Sequence, residues 1–208
     1  MAYLLRPMAK EDIDQVNGID REAFPTQLPP PDYCHELQNQ LARYIVVCDD
    51  TRAGAAPAGA VKGAGLFSRM KRWLHAGSPQ GQGPSPPVRP YIVGFAGIWI
   101  LSDEAHITNI AVRQQYRRWG IGEMMLITLI DLAVELKASM MTLEVRASNI
   151  PAQNLYRKYG FAQVGLRRGY YLDNREDAVI MSTQSINSPE FQARLQKLRE
   201  DTAKKIGG

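Results

Sequence analysis

The sequence predicts an α/β (α+β) chain in which about six to seven strands are flanked by helices. Three observations lead there. Short β-branched or alternating runs recur between longer runs whose apolar residues fall at helical spacing. One of those helical runs, Ile121 to Lys137, is apolar almost all round, with Glu123, Thr128, Asp131 and Glu135 as polar positions, so it needs cover on more than one side. Between it and the strand-like run Ile107 to Val112 lies a basic, glycine-punctuated turn, Arg117-Arg118-Trp119-Gly120-Ile121-Gly122. At 208 residues and 45% hydrophobic the chain buries one substantial core, and a second complete domain would be a tight fit.

Taken in order, Tyr3 to Arg6 reads as a first strand, and Lys10 to Phe24 as a helix with Ile13, Val16 and Ile19 on one face. Pro25 and the Pro29-Pro30-Pro31 run interrupt it. A second helix is predicted over Asp32 to Arg43, followed by the β-branched strand Tyr44 to Cys48. Beyond Pro90, Tyr91 to Leu101 and Ala105 to Val112 read as adjacent strands, Ile121 to Lys137 as a helix, and Met140 to Val145 as a strand. Pro151 to Tyr159 is a helix ended by Gly160, and Phe161 to Gly165 and Asp177 to Thr183 are strands. Ser188-Pro189-Glu190 is a helix start, with an N-cap serine, proline at the first helical position and an acid in the first turn. The stripe Phe191, Leu195, Leu198 in that tail would pack on the domain or meet a partner. The expected organisation is one domain over 1–186 and a helical tail over 187–208.

Residues 49–90 differ in kind: 20 of the 42 are Gly, Ala or Pro, so this stretch reads as an insertion without a core of its own. It carries all of the net charge of +4, so the rest of the chain sums to zero and stable nucleic-acid binding by the core is not expected. Within it, Leu66, Phe67, Met70, Trp73 and Leu74 alternate with Arg69, Lys71 and Arg72 as a short basic amphipathic segment. An anionic membrane, ribosomal RNA and the body of the domain are its possible docking surfaces, the last being the default. Cys34 and Cys48 form no Cys-x-x-Cys pair, which fits a reducing cytosol and opposes a disulfide framework or a cysteine-rich zinc site. No metal is expected, although the scattered His35, His75 and His106 leave a three-histidine site open. The start lacks the apolar stretch of a secretory signal, and the longest apolar-or-glycine run, Tyr91 to Leu101, is too short to span a bilayer as a helix. The chain reads as cytoplasmic.

The turn before the apolar helix is suited to a pyrophosphate. The first backbone N–H groups of a helix have no partner within it, and its dipole favours an anion there. Gly120 and Gly122 lack the Cβ atoms that would hold a phosphate off, and Arg117 and Arg118 supply charge-assisted hydrogen bonds. No Gly-Lys-Ser/Thr follows and Met125 stands where a dinucleotide fingerprint has its third glycine, so a nucleoside triphosphate or NAD is disfavoured. An ordinary strand-to-helix turn with a solvated basic edge is the bland alternative.

The order strand, Arg-x-x-Gly-x-Gly, apolar helix, strand, helix resembles the GNAT acetyltransferases. Within them, Leu143-Glu144-Val145-Arg146-Ala147-Ser148-Asn149, Asn154-Leu155-Tyr156, Tyr159-Gly160-Phe161, Arg168-Gly169-Tyr170-Tyr171 and Arg175-Glu176-Asp177-Ala178 resemble the RimI-type ribosomal-protein-alanine N-acetyltransferases. The resemblance is close over Tyr91 to Thr183, looser over Tyr3 to Cys48, and leaves out the insertion and the tail. It implies a mixed central sheet and acetyl-coenzyme A as co-substrate. By the same resemblance Glu144 is the general base, through water, and Tyr156 the general acid toward the coenzyme A sulfur. Ile110, Ala111 and Val112 offer main-chain groups to the acetyl carbonyl and pantetheine arm, and Arg117, Arg118, Trp119, Gly120, Ile121 and Gly122 form the pyrophosphate turn. Asn149 lies near the pantetheine, a role compatible with N-capping the Pro151 helix. Phe24 and Pro25 border the acceptor, and Tyr170 and Tyr171 bind its backbone, although adjacent residues of a regular strand face opposite sides. One departure is that Gln27-Leu28 and a triple proline stand where RimI-like sequences carry a tryptophan, so the preferred acceptor residue is not carried over.

The acceptor implied is a protein or peptide N-terminus, with a ribosomal protein as candidate. An α-amino group has a pKa near 8 against about 10.4 for lysine, so its neutral fraction at pH 7 is roughly two orders of magnitude larger and a weak base suffices. Lysine or small-amine acetylation, and a non-catalytic coenzyme A-binding module, are the alternatives. For Glu144 on its own the plainer reading is a salt bridge to Arg146, and for Tyr156 a packing aromatic.

Overall fold

The computed structural model describes residues 3–26, 31–51 and 90–207. The strands are β1 (Tyr3–Pro7), β2 (Ala42–Asp49), β3 (Tyr91–Leu101), β4 (Glu104–Val112), β5 (Met140–Arg146), β6 (Ala162–Tyr171) and β7 (Glu176–Ser182). The helices are α1 (Ile13–Ala23), α2 (Tyr33–Glu36), α3 (Ile121–Glu135), α4 (Ile150–Lys158) and α5 (Pro189–Gly207). Among the described residues the strands form one mixed sheet in the order β1-β2-β3-β4-β5-β7-β6, antiparallel throughout except for the parallel pair β4 and β5. The amphipathic segment and His75 expected within the insertion, and Gln27, Leu28, Pro29 and Pro30, lie outside the described residues.

Each face of the sheet is covered. Val16, Ile19 and Tyr33 of α1 and α2 pack on Val46, Ile92 and Phe95. On the other face Met124, Met125, Leu126, Leu129 and Ile130 of α3 meet Ile98, Ile107, Met141 and Leu143. The all-round apolarity of α3 is explained by α5, whose Leu195 is buried and whose Phe191, Leu198 and Ile206 join the same core. Arg199 donates to both carboxylate oxygens of Asp131 at 2.8 and 2.7 Å, one of the few polar positions on α3. The tail therefore packs on the domain.

Two elements differ from expectation. The predicted helix over Asp32 to Arg43 is a single turn, α2, capped by Asp32, whose Oδ1 accepts from the amides of Cys34 and His35. Asn39 ends it: its side chain accepts from the Leu41 amide and its carbonyl from the Ala42 amide, a local turn that outcompetes the helix ladder. Pairing of Ala42 with Trp99 then starts β2 earlier than predicted. The strand predicted over Phe161 to Gly165 runs on to Tyr171, because β7 offers it a partner as far as Glu176.

Sheet register shapes the site. β4 and β5 pair from Glu104 with Met140 to Ile107 with Leu143 and no further. β5 continues along β7 to Arg146, while β4 follows β3 to Val112 across a bulge at Gly97/Ile98. The two central strands thus part after Ile107 and Leu143, and their free edges wall a cleft.

Candidate active site

The Arg117–Gly122 turn is bounded by two left-handed residues, Arg118 (φ 71°) and Gly120 (φ 86°). Gly120 is the N-cap of α3 and has no side chain to satisfy the first amides; the first intrahelical bond runs from Met124 to its carbonyl. The N–H groups of Ile121, Gly122 and Glu123 are left pointing out of the helix end, an arrangement that binds anions. A Cβ on Gly122 would meet only Leu155, at 3.8 Å, so this glycine keeps the space before those amides open. Arg117 donates through Nε to the Val112 carbonyl at 3.1 Å, which folds it back along β4 beside the cradle. Trp119 stands half exposed on the turn. Three outward amides, a cleared approach and two arginines fit a diphosphate.

Upstream, the Arg113 amide bonds the Val93 carbonyl on β3. By the alternation of an antiparallel ladder, Ala111 faces β3 as well, and Ile110 and Val112 turn their backbone groups toward the gap with β5. The unpaired edge of β4 therefore runs directly into the amide cradle.

Glu144 is the first β5 residue beyond the last pair with β4, and its side chain is largely buried. Its Oε2 lies 3.1 Å from His106 Nε2 and its Oε1 3.2 Å from Arg167 Nη2. The salt bridge to Arg146, the plainer alternative for Glu144, is not formed. Arg146 turns instead to Asp173 at 3.0 Å and Glu176 at 3.1 Å. Behind Glu144, His106 Nδ1 lies 3.1 Å from the Thr142 hydroxyl, which donates to Glu104. These four side chains alternate across β4 and β5 on one face of the sheet.

Tyr156 is buried against Phe161, and its hydroxyl makes no hydrogen bond to another described residue. Burial, with the nearby Tyr171, pushes its pKa well above the ordinary phenol value, so it holds its proton. Tyr171 links the group: burial pushes it up to about 12, and it lies within electrostatic reach of Glu144 as well. Asn149 is an N-cap, its Oδ1 accepting from the Ala152 amide at 3.2 Å, which leaves its amide nitrogen available.

A second cluster is joined by Arg146. Its guanidinium stacks 3.9 Å from the centre of the Tyr171 ring and donates to Thr26, Asp173 and Glu176. Thr26 directly follows Phe24-Pro25; Phe24 packs on the α1 side of the core and Pro25 is exposed. Glu176 also accepts from the Ser148 amide at 2.7 Å, and that contact, followed by Arg146, holds its carboxyl down to about 2. Tyr170 and Tyr171 do not point to opposite faces as a regular strand would require. Their rings meet edge to face at 5.2 Å, because β6 is irregular between Arg167 and Tyr171, with Gly169 at a φ of 57° and its amide bonded to Asp177.

The sequence reading named Ile110 to Val112, Arg117 to Gly122, Glu144, Asn149, Tyr156, Phe24, Pro25, Tyr170 and Tyr171, but gave no catalytic-site role to His106 or Arg167, nor to Arg146 the joining of Thr26, Tyr171, Asp173 and Glu176. His106 is brought to the site by its pairing with Thr142, two residues before Glu144 on the parallel strand β5, a register visible only once the sheet is assembled. Among the described residues no group of three or more His, Cys, Asp or Glu side chains is gathered as a metal site, and no helix is long and apolar enough to cross a membrane.

Residues 87–161 match the Acetyltransferase (GNAT) family. A Bacillus subtilis protein named as a candidate ribosomal protein bS18-alanine N-acetyltransferase is 34% identical over 85% of this chain and 92% of its own length. The Escherichia coli ribosomal protein bS18-alanine N-acetyltransferase is 43% identical over 44% of this chain and 63% of its own length. An N-alpha-acetyltransferase of Sulfurisphaera tokodaii is 32% identical over 86% of this chain and 92% of its own. Among solved structures, the Escherichia coli ribosomal-protein-S18-alanine N-acetyltransferase superposes with a TM-score of 0.61 at 24% identity, covering 90% of this chain and 97% of that one. A GNAT family acetyltransferase from Elizabethkingia anophelis with acetyl-CoA bound superposes with a TM-score of 0.57 at 15% identity, covering 88% and 97%.

Proposed function

The chain belongs to the GNAT acetyltransferases and is an acetyl-coenzyme A-dependent N-acetyltransferase, and from that premise we propose that its acceptor is the α-amino group of a protein, with a ribosomal protein N-terminus as the specific candidate. The observation that carries this reading is the parting of β4 and β5, which sets a free main-chain edge and an amide cradle on one side of a cleft and Glu144 on the other. Relatives named for α-amino acetylation over nine tenths of their own length support the acceptor class.

On this reading the outward amides of Ile121, Gly122 and Glu123, with Arg117 and Arg118, hold the diphosphate, and Trp119 borders it. Ile110 and Val112 align the pantetheine and acetyl carbonyl through their backbone, with Ala111 locked to β3 between them, and the Asn149 amide lies on the same path. When bound, acetyl-coenzyme A supplies an activated acyl group on a thiol that leaves as the transfer completes. Glu144 removes a proton from the acceptor amine through water, and Tyr156, kept protonated by burial, donates one to the departing sulfur. The Ile110 and Val112 N–H groups stabilise charge on the carbonyl oxygen during transfer. Tyr170 and Tyr171 hold the peptide backbone, and Phe24 and Pro25 border its first side chain.

The test is thiol release with mass spectrometry on a peptide with free N-terminal alanine, the same peptide N-terminally blocked but carrying a lysine, and no peptide. Acetylation of the first alone is expected; equal turnover of the blocked lysine peptide would overturn the acceptor assignment.

A further inference from the structure

Glu123 poses an electrostatic problem. It sits in the first turn of α3, on the cradle itself, where a carboxylate would repel a diphosphate. The structure answers with more positive charge than neutralising it requires. Lys158 pairs with Oε2, Lys205 with Oε1 at 3.0 Å, and the Tyr159 hydroxyl donates to Oε2 at 3.0 Å. Against the upward push of burial, these bonds hold the Glu123 carboxyl below the usual carboxylate range. One acid thus tethers two ammonium groups at a helix end already flanked by Arg117 and Arg118.

One of those ammonium groups comes from the last turn of α5. That helix is strapped down along its length: Arg194 donates to the carbonyls of Arg157 and Lys158, Arg199 to Asp131, and Thr202 shares a hydrogen bond with Tyr159. The strapping delivers Lys205 and Ile206 to the cradle. A Cβ on Gly120 would stand 3.1 Å from Ile206 Cγ1 and 3.5 Å from Lys205 Cδ, so the tail lies directly against the left-handed glycine that opens α3. Lys204, one residue away, points to solvent with only a 4.0 Å contact to Asp201.

We propose that the C-terminal helix is part of the coenzyme A site, with Lys205 contacting the diphosphate from its tether on Glu123 and Ile206 bracing Gly120. This rests on the acetyl-coenzyme A reading of the cradle. Tethering by Glu123 holds the flexible lysine near its ligand beforehand, so less side-chain entropy is lost on binding.

Calorimetric titration of the full chain with coenzyme A, dephospho-coenzyme A and inorganic pyrophosphate tests it, alongside thermal melting of each variant. K205M is expected to weaken all three ligands by about tenfold, the size of one charge-assisted hydrogen bond, with K205R restoring most of the loss and K204M matching the parent. I206A is expected to weaken binding without abolishing folding. Parent-like affinity of K205M for all three would overturn the proposal, as would weakening confined to coenzyme A, which would place Lys205 on the 3′-phosphate. If the parent itself binds none of them, the cofactor reading of the cradle fails instead.

Discussion

The two walls of the cleft are built by different means. On the wall proposed for the cofactor the working groups are mostly main-chain amides and carbonyls from one contiguous stretch, Ile110 to Glu123, resting on a core in which Met124, Met125 and Leu126 are fully buried. On the wall proposed for the acceptor they are side chains from three separate segments, around Thr26, Arg146 and the hairpin from Tyr171 to Glu176, and one guanidinium joins them. A backbone site is conserved by geometry and tolerates many side chains; a side-chain site can be retuned by single substitutions. That division suits an enzyme with one donor and an acceptor to be selected.

Glu144, across the cleft from the cradle, is the proposed base, so its replacement makes the strongest test. E144Q is expected to lower kcat by about a thousandfold, within the range for loss of a general base, and to leave coenzyme A affinity unchanged. A matching loss of coenzyme A affinity in calorimetry would show that the walls are not separable. Next in size, R146A removes the joint of the acceptor wall. Its expected signature in steady-state kinetics is a peptide KM raised about tenfold, one or two lost charge-assisted contacts, with the KM for acetyl-coenzyme A unmoved. An equal shift in both KM values would break the comparison.

The smallest effect concerns pH. Glu176 has its folded-state pKa depressed to about 2, below the value of about 4.3 for an unfolded glutamate, so it stabilises the fold fully above that unfolded value. The contribution is lost as pH falls from about 5 toward 2, where the unfolded chain binds the proton first. The thermal midpoint of the parent should therefore fall more steeply over that window than that of E176Q, and parallel curves would remove Glu176 from the acid response.

The same division explains what could be read from the chain. The strand, turn and helix from Ile107 to Glu135 were legible because their information is local: β-branched residues, arginines, glycines and an apolar run follow one another in sequence. The helix at Asp32 was over-extended because Asn39 terminates it through its own side chain, a competition that hydrophobic spacing does not register. The tyrosine pair was misjudged for a similar reason, since the irregularity at Gly169 depends on Asp177 across the hairpin. His106 reaches Glu144 from the adjacent strand β4 and Arg167 from β6, across the intervening β7, and only sheet order β4-β5-β7-β6 brings them there.

The Asp49–Tyr91 pair, where β2 hands over to β3, has a separate consequence. The chain leaves the sheet after Asp49 and returns at Tyr91 onto directly hydrogen-bonded neighbours, and Asp49 is pinned by the Tyr116 hydroxyl at 2.7 Å, just before the Arg117–Gly122 turn. Topologically β2 and β3 are the two antiparallel stems of a hairpin, held to each other from Ala42–Trp99 to Asp49–Tyr91. Each doubling of such a connection costs only about 0.6 kcal/mol in closure entropy, so length and composition there can drift, or acquire new business, while the catalytic frame stays in register.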